Sequence, residues 1–262
     1  MSTKKIQVLQ ITDTHLFASP HSALMGVDTA ATFEAVLKVV KSDFNQAQCV
    51  LVTGDLTQDD SAESYHYIKD ALSDLAIPNY WLCGNHDKEA LMNAINPTAM
   101  KKKVELGNWQ ILLLNSQVPN QVYGHLEESE LALLSQELAQ NPDKPTLIAL
   151  HHHPAPIKSQ WMDNIMLKNP DEFAAVLNNH KNIKGIIHGH IHQAIDYTFC
   201  GIPVMATPST CVQFAPESNH FQADTQQPGF RVIDLMPDGT IETQVIRICD
   251  QPMEIDLRSK GY

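Results

Sequence analysis

The sequence predicts an α/β fold in which two mixed β-sheets pack face to face, with helices on the outside. Three observations lead to this fold class. Short apolar runs alternate with amphipathic helical periodicity over residues 6–188. From about residue 194 onward, the pattern changes to strand-like runs separated by turn signals. Polar residues that suit metal ions follow the strand-like runs, and α/β proteins bind ligands beyond the carboxyl ends of their strands.

The first part of the chain supports this alternation element by element. Apolar and β-branched residues mark the strands, and apolar residues at helical spacing mark the helices. Asp60 and Glu63 stand at the spacing of a capping box before the second helix. The predicted elements are strands over residues 6–12, 49–53 and 80–83, a helix over residues 31–46, and a second helix through Tyr65, Ile68, Leu72 and Leu75.

The rest of the chain continues the pattern and then becomes β-rich. Asn169 and Pro170 form a helix start, with an N-cap residue before a proline at the first helical position. Cys200 with Gly201, and Pro237 with Gly239, form turns between strands. The predicted elements are strands over residues 110–114, 146–150 and 183–188, helices over residues 126–140 and 170–178, and hairpins that pair residues 194–199 with 202–206 and 230–235 with 240–248.

Length and composition allow one large core. The chain has 262 residues and is 43% hydrophobic, so we expect a single domain over residues 1–262 with a β-rich C-terminal part from about residue 194. The net charge of −12 argues against nucleic acid and membrane surfaces as partners, because both favour a basic face. An acidic protein that handles phosphate must supply positive charge locally, and metal ions would do so.

The cysteines and the N-terminus indicate a cytoplasmic protein. The cysteines are odd in number and none stands at C-x-x-C spacing, which favours free thiols over disulfides or a thiolate zinc site. The N-terminus enters a strand directly without the apolar segment of a signal peptide, and no run of about 18 apolar residues occurs. The cysteines are Cys49, Cys83, Cys200, Cys211 and Cys249.

Seven potential metal ligands follow the strand-like runs. Carboxylate, imidazole and amide groups in this number suit two divalent ions with a shared carboxylate better than one ion. Two ions held roughly 3.5–4 Å apart are a typical arrangement for cleaving phosphoesters. The absence of cysteine from the set favours manganese, iron or zinc over a thiolate-preferring metal. The seven residues are Asp13, His15, Asp55, Asn85, His151, His190 and His192.

The spacing of these residues suggests how they converge. Asp13 and His15 are two residues apart, and such residues point to the same side of an extended chain. The same argument applies to His190 and His192, beside Gly189, which we expect to leave room for the metals. Asp55 follows Gly54, where the chain can turn sharply. Its two carboxylate oxygens make Asp55 the natural bridge between the ions.

The combined motifs resemble the calcineurin-like metallophosphoesterase superfamily. The superfamily pattern D-x-H, G-D, G-N-H-D, H and G-H-x-H is complete in this chain, from Asp13 to His192. The resemblance implies a four-layer αββα sandwich and two metal ions, with iron and manganese favoured and zinc as another candidate. It implies that one ion is held by Asp13, His15, Asp55 and His192, and the other by Asp55, Asn85, His151 and His190.

The resemblance also implies a mechanism. A hydroxide that bridges the two ions attacks phosphorus in line with the leaving oxygen. His86 stabilises or protonates the leaving alkoxide. Asp87 either orients His86 or caps a helix, and the sequence favours neither reading. The residues expected to contact the substrate are His15, Asn85, His86, His151 and His192.

The remaining histidines near these motifs have simpler interpretations. His152 and His153 follow the proposed ligand His151, and we expect them to line the pocket or to point away from it. His188 lies inside a strand and is interpreted as a core histidine whose ring nitrogens have partners. Asp59 is interpreted as a solvated acid at a helix start rather than a contact of a metal ligand.

Longer stretches resemble the bacterial class III 3′,5′-cyclic AMP phosphodiesterases. These stretches include Q-I-T-D-T-H-L-F from Gln10, H-H-H-P from His151 and A-T-P-S-T-C-V-Q-F from Ala206, and the similarity extends over residues 6–262. Asn115 departs from the aspartate expected there, which puts only local hydrogen bonding in doubt. The resemblance implies hydrolysis of cyclic AMP to 5′-AMP. Residues 207–211 are candidates for the adenine pocket, with an ordinary loop as the alternative.

Three other functions remain open from the sequence. A broader metal-dependent phosphodiesterase or phosphomonoesterase would use the same residues on other substrates. A metal-binding scaffold for a protein partner would need neither His86 nor a full ligand set. A hydrolase of other esters or amides would use the same metals. The chain is expected to act as a monomer or a homodimer on a small cyclic nucleotide.

Overall fold

The computed structural model describes residues 4–248 and 253–261. Cys49, Cys83, Cys200 and Cys211 are free thiols in this part of the chain. Cys249, the fifth cysteine of the chain, lies outside the described residues.

Strands occur along the whole described chain. In chain order they are β1 (Ile6–Ile11), β2 (Ala23–Leu24), β3 (Val27–Asp28), β4 (Cys49–Thr53), β5 (Asn79–Leu82), β6 (Lys103–Leu106), β7 (Trp109–Leu113), β8 (Thr146–Ala149), β9 (Ile183–His188), β10 (Asp196–Phe199), β11 (Ile202–Ala206), β12 (Gln213–Phe214), β13 (Ala223–Asp224), β14 (Gly229–Leu235) and β15 (Ile241–Arg247).

Helices separate the strands in the first two thirds of the chain. They are α1 (Thr29–Asp43), α2 (Ala62–Ser73), α3 (Glu89–Ile95), α4 (Glu128–Gln140), α5 (Gln160–Asp163) and α6 (Pro170–Leu177). Within residues 4–248 and 253–261, no helix has both the length and the apolar character needed to cross a membrane.

Two mixed sheets contain most of the strands. The first has the order β15-β14-β1-β4-β5. In it β1, β4 and β5 are parallel to one another, β14 is antiparallel to β1, and β15 is antiparallel to β14. The second has the order β10-β11-β9-β8-β7-β6, with four parallel strands flanked by antiparallel β10 and β6. The predicted pair of mixed sheets is confirmed.

Three apolar clusters give the molecule its layers. The side chains of β1 alternate between them: Val8 packs between the two sheets, whereas Leu9 and Ile11 pack against the helices α1 and α2. The other outer face, on the second sheet, packs against α4 and α6 through Leu134 and Phe173. Helix, sheet, sheet and helix layers therefore follow one another, as predicted for the αββα sandwich.

The start of α2 differs from the prediction. Ser61, not Asp60, is the N-cap residue, and its hydroxyl accepts a hydrogen bond from the Ser64 amide at 3.3 Å. Asp60 has a left-handed backbone, with φ of 56°, and its carboxylate pairs with Lys88 at 2.8 Å. The capping-box spacing therefore located the helix correctly but assigned its cap one residue too early.

The starts of α4 and α6 are coupled through one side chain. Asn169 occupies the predicted N-cap position of α6 but makes no side-chain cap bond. Its carboxamide instead accepts from the Leu126 amide at 3.0 Å and donates to the Leu126 carbonyl at 2.8 Å. Leu126 therefore lies in a loop, and α4 begins at Glu128 rather than at residue 126.

The elements that were not predicted include α3 and β6. The helix α3 has seven residues, too few for apolar periodicity to be recognised, and the sequence of β6 has one buried residue, Val104.

The two predicted hairpins are confirmed, because β10 pairs with β11 on either side of Cys200 and Gly201, and β14 pairs with β15 on either side of the turn that contains Gly239. Gly239 has a φ of 88°, which a glycine adopts without strain.

Candidate metal centre

The carboxyl ends of both sheets bring the proposed ligands together. In the first sheet β1 and β4 are parallel neighbours, so the segments that follow them run side by side. The Asp13 amide donates to the Gly54 carbonyl at 2.9 Å, and the His15 amide donates to the Asp55 carbonyl at 3.0 Å. In the second sheet the parallel neighbours β8 and β9 lead to His151 and the segment of His190.

The proposed ligands lie on sharply turning backbone rather than on extended chain. A left-handed φ is uncommon for residues with a Cβ and costs of order 1–3 kcal/mol each, yet it recurs at this site. The expected extended geometry is therefore wrong, and the side chains converge because each segment turns. The residues are Asp13 (φ 53°), His15 (44°), Asp55 (51°), His190 (68°) and His192 (50°).

Two glycines make these turns sterically feasible. Gly54 has a φ of 101°, and a Cβ there would lie 2.2 Å from the Nδ1 atom of His151. The predicted sharp turn before Asp55 is thus confirmed. A Cβ on Gly189 would lie 2.1 Å from the Oγ1 atom of Thr12 and 2.6 Å from the Oδ2 atom of Asp13. Gly189 therefore leaves room for the end of β1, and not only for a metal ion.

One group of ligand atoms comes from Asp13, His15 and His192. Their ligand atoms all lie within 4.8 Å of one another, and all three side chains are fully buried. The Nε2 atoms of His15 and His192 are 3.1 Å apart, and the His192 Nε2 atom is 3.4 Å from the Oδ1 atom of Asp13.

A second group surrounds His151. Its Nε2 atom is 3.2 Å from the Oδ2 atom of Asp55 and 3.3 Å from the Oδ1 atom of Asn85. His190 approaches from the second sheet, with its ring centroid 5.1 Å from that of His151. The structure thus assembles the four residues proposed for the second ion.

Asp55 lies between the two groups. Its Oδ2 atom is 3.2 Å from the His151 Nε2 atom and 3.8 Å from the His15 Nε2 atom. Its Oδ1 atom accepts a hydrogen bond from the His86 amide at 2.8 Å. One carboxylate oxygen, rather than two, therefore faces both groups, and the role of Asp55 as a bridge between two ions stays a prediction.

The donor atoms fit divalent cations. Among the described residues, Asp55 Oδ2 and both ring nitrogens of His190 are buried without a hydrogen-bond partner. A buried polar atom without a partner costs about 1–3 kcal/mol, so such atoms need an explanation. A cation bound by oxygen and imidazole nitrogen would give Asp55 Oδ2 and one ring nitrogen of His190 a partner.

Backbone carbonyls orient two of the imidazoles. The Nδ1 atom of His151 donates to the Thr53 carbonyl at 2.8 Å, and the Nδ1 atom of His192 donates to the Val212 carbonyl at 2.7 Å. When Nδ1 carries the proton, the lone pair of Nε2 points toward the neighbouring ligand atoms. These contacts prepare both rings to bind a metal through Nε2.

Gln58 plays the same part for His15, and sequence reasoning missed it. The Oε1 atom of Gln58 lies 2.6 Å from the Nδ1 atom of His15. Its position three residues after Asp55, in the same loop, was the signal that could have suggested it.

Gln58→Leu is expected to weaken metal binding by about 10–100-fold, because the leucine cannot accept the His15 Nδ1 proton. Gln58→Glu retains an acceptor and should bind metal far more tightly than the leucine variant. Metal titration followed by calorimetry measures both. Equal affinities for wild type and Gln58→Leu would contradict this role.

Burial and the neighbouring charges shift the pKa values of the proposed ligands in different directions. Burial lowers the pKa of His15 to about 3, so its imidazole is neutral. Burial raises the pKa of Asp13, but the facing His192 outweighs it and the pKa falls below its usual range. At His151 burial lowers the pKa, but the Asp55 carboxylate outweighs burial and raises it to about 9. The carboxylates therefore favour positive charge at this position.

Asp87 holds two loops together. Its carboxylate accepts hydrogen bonds from the amides of Gly84 at 2.8 Å and Leu56 at 3.0 Å, and from the Tyr65 hydroxyl at 3.0 Å. Burial, followed by the charge of Asp55, raises its pKa to about 7. The expected orientation of His86 by Asp87 stays a prediction. The alternative reading as a helix cap is not observed, since Lys88 is the N-cap residue of α3.

His86 lies at the edge of the centre. It is half-buried, and its ring meets the His15 ring edge-on with centroids 5.0 Å apart. A ring nitrogen of His86 also lies within 4.8 Å of ligand atoms of His15 and Asp55. The position suits either contact with substrate or metal binding.

Three further histidines, His152, His153 and His188, are buried close to the ligands. His188 is a core histidine with both ring nitrogens bonded, to the Gly189 carbonyl at 2.8 Å and the Tyr197 hydroxyl at 2.9 Å, as predicted. His152 and His153 are fully buried, and the His152 ring lies 4.6 Å from the ring of His190. His152 thus lines the centre rather than pointing away from it.

Fold and site together define a dinuclear phosphoesterase architecture, and the chain belongs to the calcineurin-like phosphoesterase family. The family model matches residues 6–194, which include all seven proposed ligands. Family membership and the two ligand groups imply divalent metal ions.

Curated relatives that match nearly the whole chain are named as cyclic nucleotide phosphodiesterases. The chain is 41% identical to the 3′,5′-cyclic adenosine monophosphate phosphodiesterase CpdA of Escherichia coli (strain K12), covering 98% of this chain and 95% of that protein. It is 42% identical to the enzyme of the same name from Haemophilus influenzae, with 98% and 95% covered. It is 39% identical to a 3′,5′-cyclic-nucleotide phosphodiesterase of Nostoc, with 93% and 92% covered.

Solved structures share the fold at low sequence identity. A dimetal phosphatase from Danio rerio superposes with a TM-score of 0.67 at 14% identity, covering 93% of this chain and 99% of that one. A purple acid phosphatase from yellow lupin also gives a TM-score of 0.67, at 11% identity, with 97% and 53% covered. At these identities the similarity establishes the fold alone.

Proposed function

We propose that this protein hydrolyses 3′,5′-cyclic AMP to 5′-AMP at a two-metal centre. The proposal rests above all on the position of the Asp55 Oδ2 atom, which faces ligand atoms of both groups. It lies 3.8 Å from the His15 Nε2 atom and 3.2 Å from the His151 Nε2 atom. A carboxylate oxygen in this position can bind two ions at once. The names of relatives about 40% identical over nearly the whole chain support cyclic AMP as the substrate.

The proposed ligand sets follow the two groups. When bound, two divalent ions would lower the pKa of a water molecule and neutralise charge on the phosphate. We propose iron or manganese, with zinc as a further candidate, since the donors are mixed oxygen and nitrogen without thiolate. One ion would be held by Asp13, His15, Asp55 and His192, and the other by Asp55, Asn85, His151 and His190.

His86 is the proposed general acid. Its ring lies at the exposed edge of the centre, beside His15, and its backbone is fixed by the bond from its amide to Asp55. From there the imidazole can donate a proton to the leaving oxygen of the ribose. Asn85, also half-buried, is placed to contact the phosphate from the same side.

A substrate comparison tests the proposal. Purified protein loaded with Mn²⁺ or Fe²⁺ is assayed on cyclic AMP, cyclic GMP, a 2′,3′-cyclic nucleotide and p-nitrophenyl phosphate. We expect kcat/KM for cyclic AMP to exceed that for p-nitrophenyl phosphate by at least about 100-fold, a difference of roughly 2.7 kcal/mol. A preference for the monoester would favour the broader phosphoesterase.

A chelator provides the metal control for this assay. Protein dialysed against EDTA should lose turnover and regain it when Mn²⁺ is added back. Full activity of metal-free protein would overturn the two-metal centre.

We also propose a cytoplasmic location, a single domain over residues 1–262 and a monomer or homodimer that acts on small cyclic nucleotides. The free thiols at Cys49, Cys83, Cys200 and Cys211 support this location.

A further inference from the structure

The metal centre is reached from one side. Of the proposed metal and catalytic residues, Asn85 and His86 are partly exposed. The side chains of the others are at most 5% exposed, and six of the ligands are fully buried. A phosphate that binds at the centre therefore arrives past Asn85 and His86, and whatever the phosphate is attached to must remain on that side. The buried residues are Asp13, His15, Asp55, Asp87, His151, His190 and His192.

A cavity opens at these two residues. It has a volume of about 580 Å³, within the range of small-molecule sites. It is lined by the segment that begins α3, from Lys88 to Leu91, and by the loop after β7 that contains Gln117, Pro119 and Asn120. Asn85 and His86 belong both to this lining and to the proposed metal centre.

The walls of the cavity carry one ion pair and one further exposed carboxylate. Lys88 and Asp60 form an ion pair at 2.8 Å, and Glu89 accepts a hydrogen bond from the Asn115 carboxamide at 3.2 Å. Ala90 and Pro119 contribute apolar surface. The charge of a cyclic nucleotide lies on its phosphate, at the metals, whereas its nucleoside is neutral. Among the described residues that line it, the wall holds no unpaired lysine that would compete with the metals for the phosphate, and its exposed carboxylate outside the ion pair, Glu89, disfavours the phosphate there.

Side-chain amides supply the polar groups of the walls. Two of these amides are hydrogen-bonded to residues in or beside the metal centre. Gln58 bonds to His15, and Gln117 donates to the Gly84 carbonyl at 2.7 Å and also to the Asp87 carbonyl. Asn120 is exposed at the turn of the loop, where its φ of 61° suits asparagine. An asparagine carboxamide can bond the N6 and N7 atoms of adenine together.

The alternative location for the base is closed. Residues 207–211, expected from the sequence to be candidates for the adenine pocket, are all buried. The Ser209 hydroxyl donates to the Asp13 carbonyl at 2.7 Å, and the Thr207 hydroxyl is bonded to Gln10. This segment packs against the end of β1 and exposes no surface that a nucleoside could contact.

We propose that the cavity between the start of α3 and the loop after β7 is the nucleoside subsite, which takes the purine ribonucleoside part of a 3′,5′-cyclic nucleotide. The proposal rests on the proposed function. Asn120 contacts the base, and the surface around Ala90 packs against the nucleoside. Neither residue belongs to the metal centre, so specificity and chemistry are separable.

Filling the cavity tests the subsite. Ala90→Trp places a large side chain in the cavity, while Ala94→Trp, one turn further along α3 and also exposed, is the matched control. We expect Ala90→Trp to raise KM for cyclic AMP by at least about ten-fold. Its kcat/KM for methyl p-nitrophenyl phosphate, a small diester without a nucleoside, should stay within about two-fold of wild type, as should its metal content.

A second pair of variants tests Asn120 without filling the cavity. Asn120→Gly removes the carboxamide but tolerates the left-handed backbone, and Gln121→Gly is the control in the same loop. We expect Asn120→Gly alone to reduce the preference for cyclic AMP over cyclic GMP. Wild-type turnover of cyclic AMP with unchanged KM in both Ala90→Trp and Asn120→Gly would overturn the subsite alone. Wild-type protein that turns over the small diester but not cyclic AMP would overturn the proposed function, and the subsite with it.

Discussion

Asp55→Ala is expected to lower kcat/KM for cyclic AMP by at least about 10³-fold, and to leave fewer than two metal ions bound per chain. The Oδ2 atom of Asp55 faces both His15 and His151, so its removal takes a ligand from each group at once. Asp13 is then the remaining carboxylate of the proposed set. Steady-state kinetics and metal analysis of the same preparation measure the two effects.

Asp55→Asn and Asp74→Ala complete this experiment. The asparagine keeps an oxygen that can accept the His86 amide but lacks the negative charge, so it should preserve the loop and still weaken both ions. Asp74 is an exposed residue at the end of α2, and its alanine variant should behave as wild type. Two ions per chain and near wild-type kcat/KM in Asp55→Ala would show that the carboxylate is not shared.

The regular part of the fold was predictable because burial dictates it. The strand Cys49–Thr53 is apolar on both faces, and only a strand between two layers buries such a run. The residues that follow the strands were predictable as ligands for the same reason, since parallel neighbours end at one edge of a sheet. Asp13 and Asp55 meet there through the backbone bond between Asp13 and Gly54.

The conformation of the ligands was not predictable from their spacing. His190 and His192 have positive φ, and although histidine is enriched in left-handed backbone, its spacing does not show which histidine adopts it. That conformation is imposed by contacts distant in sequence. For example, the amide of His190 donates to both carboxylate oxygens of Asp13 at 3.1 Å, across 177 positions.

Polar networks between loops were also hidden from the sequence. Tyr65 was expected only as an apolar position of the second helix. In the structure its hydroxyl donates to Asp87 and accepts from the Lys88 amide at 2.8 Å, so a core residue of α2 fixes the segment that contains His86. Helical periodicity identifies a tyrosine ring as an apolar position, but it gives no information about the hydrogen-bond partner of the hydroxyl.

His86→Ala is expected to lower kcat for cyclic AMP by about 10²–10⁴-fold, the range of general acid catalysis, with both metal ions retained. The ribose alkoxide is a strongly basic leaving group and needs a proton as the bond to phosphorus breaks. His86 stands half-buried at the edge of the centre, where a substrate oxygen can meet it. The measurements are kcat, KM and metal content, with His66→Ala, an exposed residue of α2, as the control.

The leaving group separates acid catalysis from the other roles of His86. Methyl p-nitrophenyl phosphate releases a weakly basic phenolate that departs without a proton, so the same variant should lose far less kcat on this diester than on cyclic AMP. Equal losses on both substrates, with two ions bound, would mean that His86 stabilises the phosphate and does not protonate the leaving oxygen. Loss of an ion would instead make His86 a ligand, as its proximity to His15 and Asp55 allows.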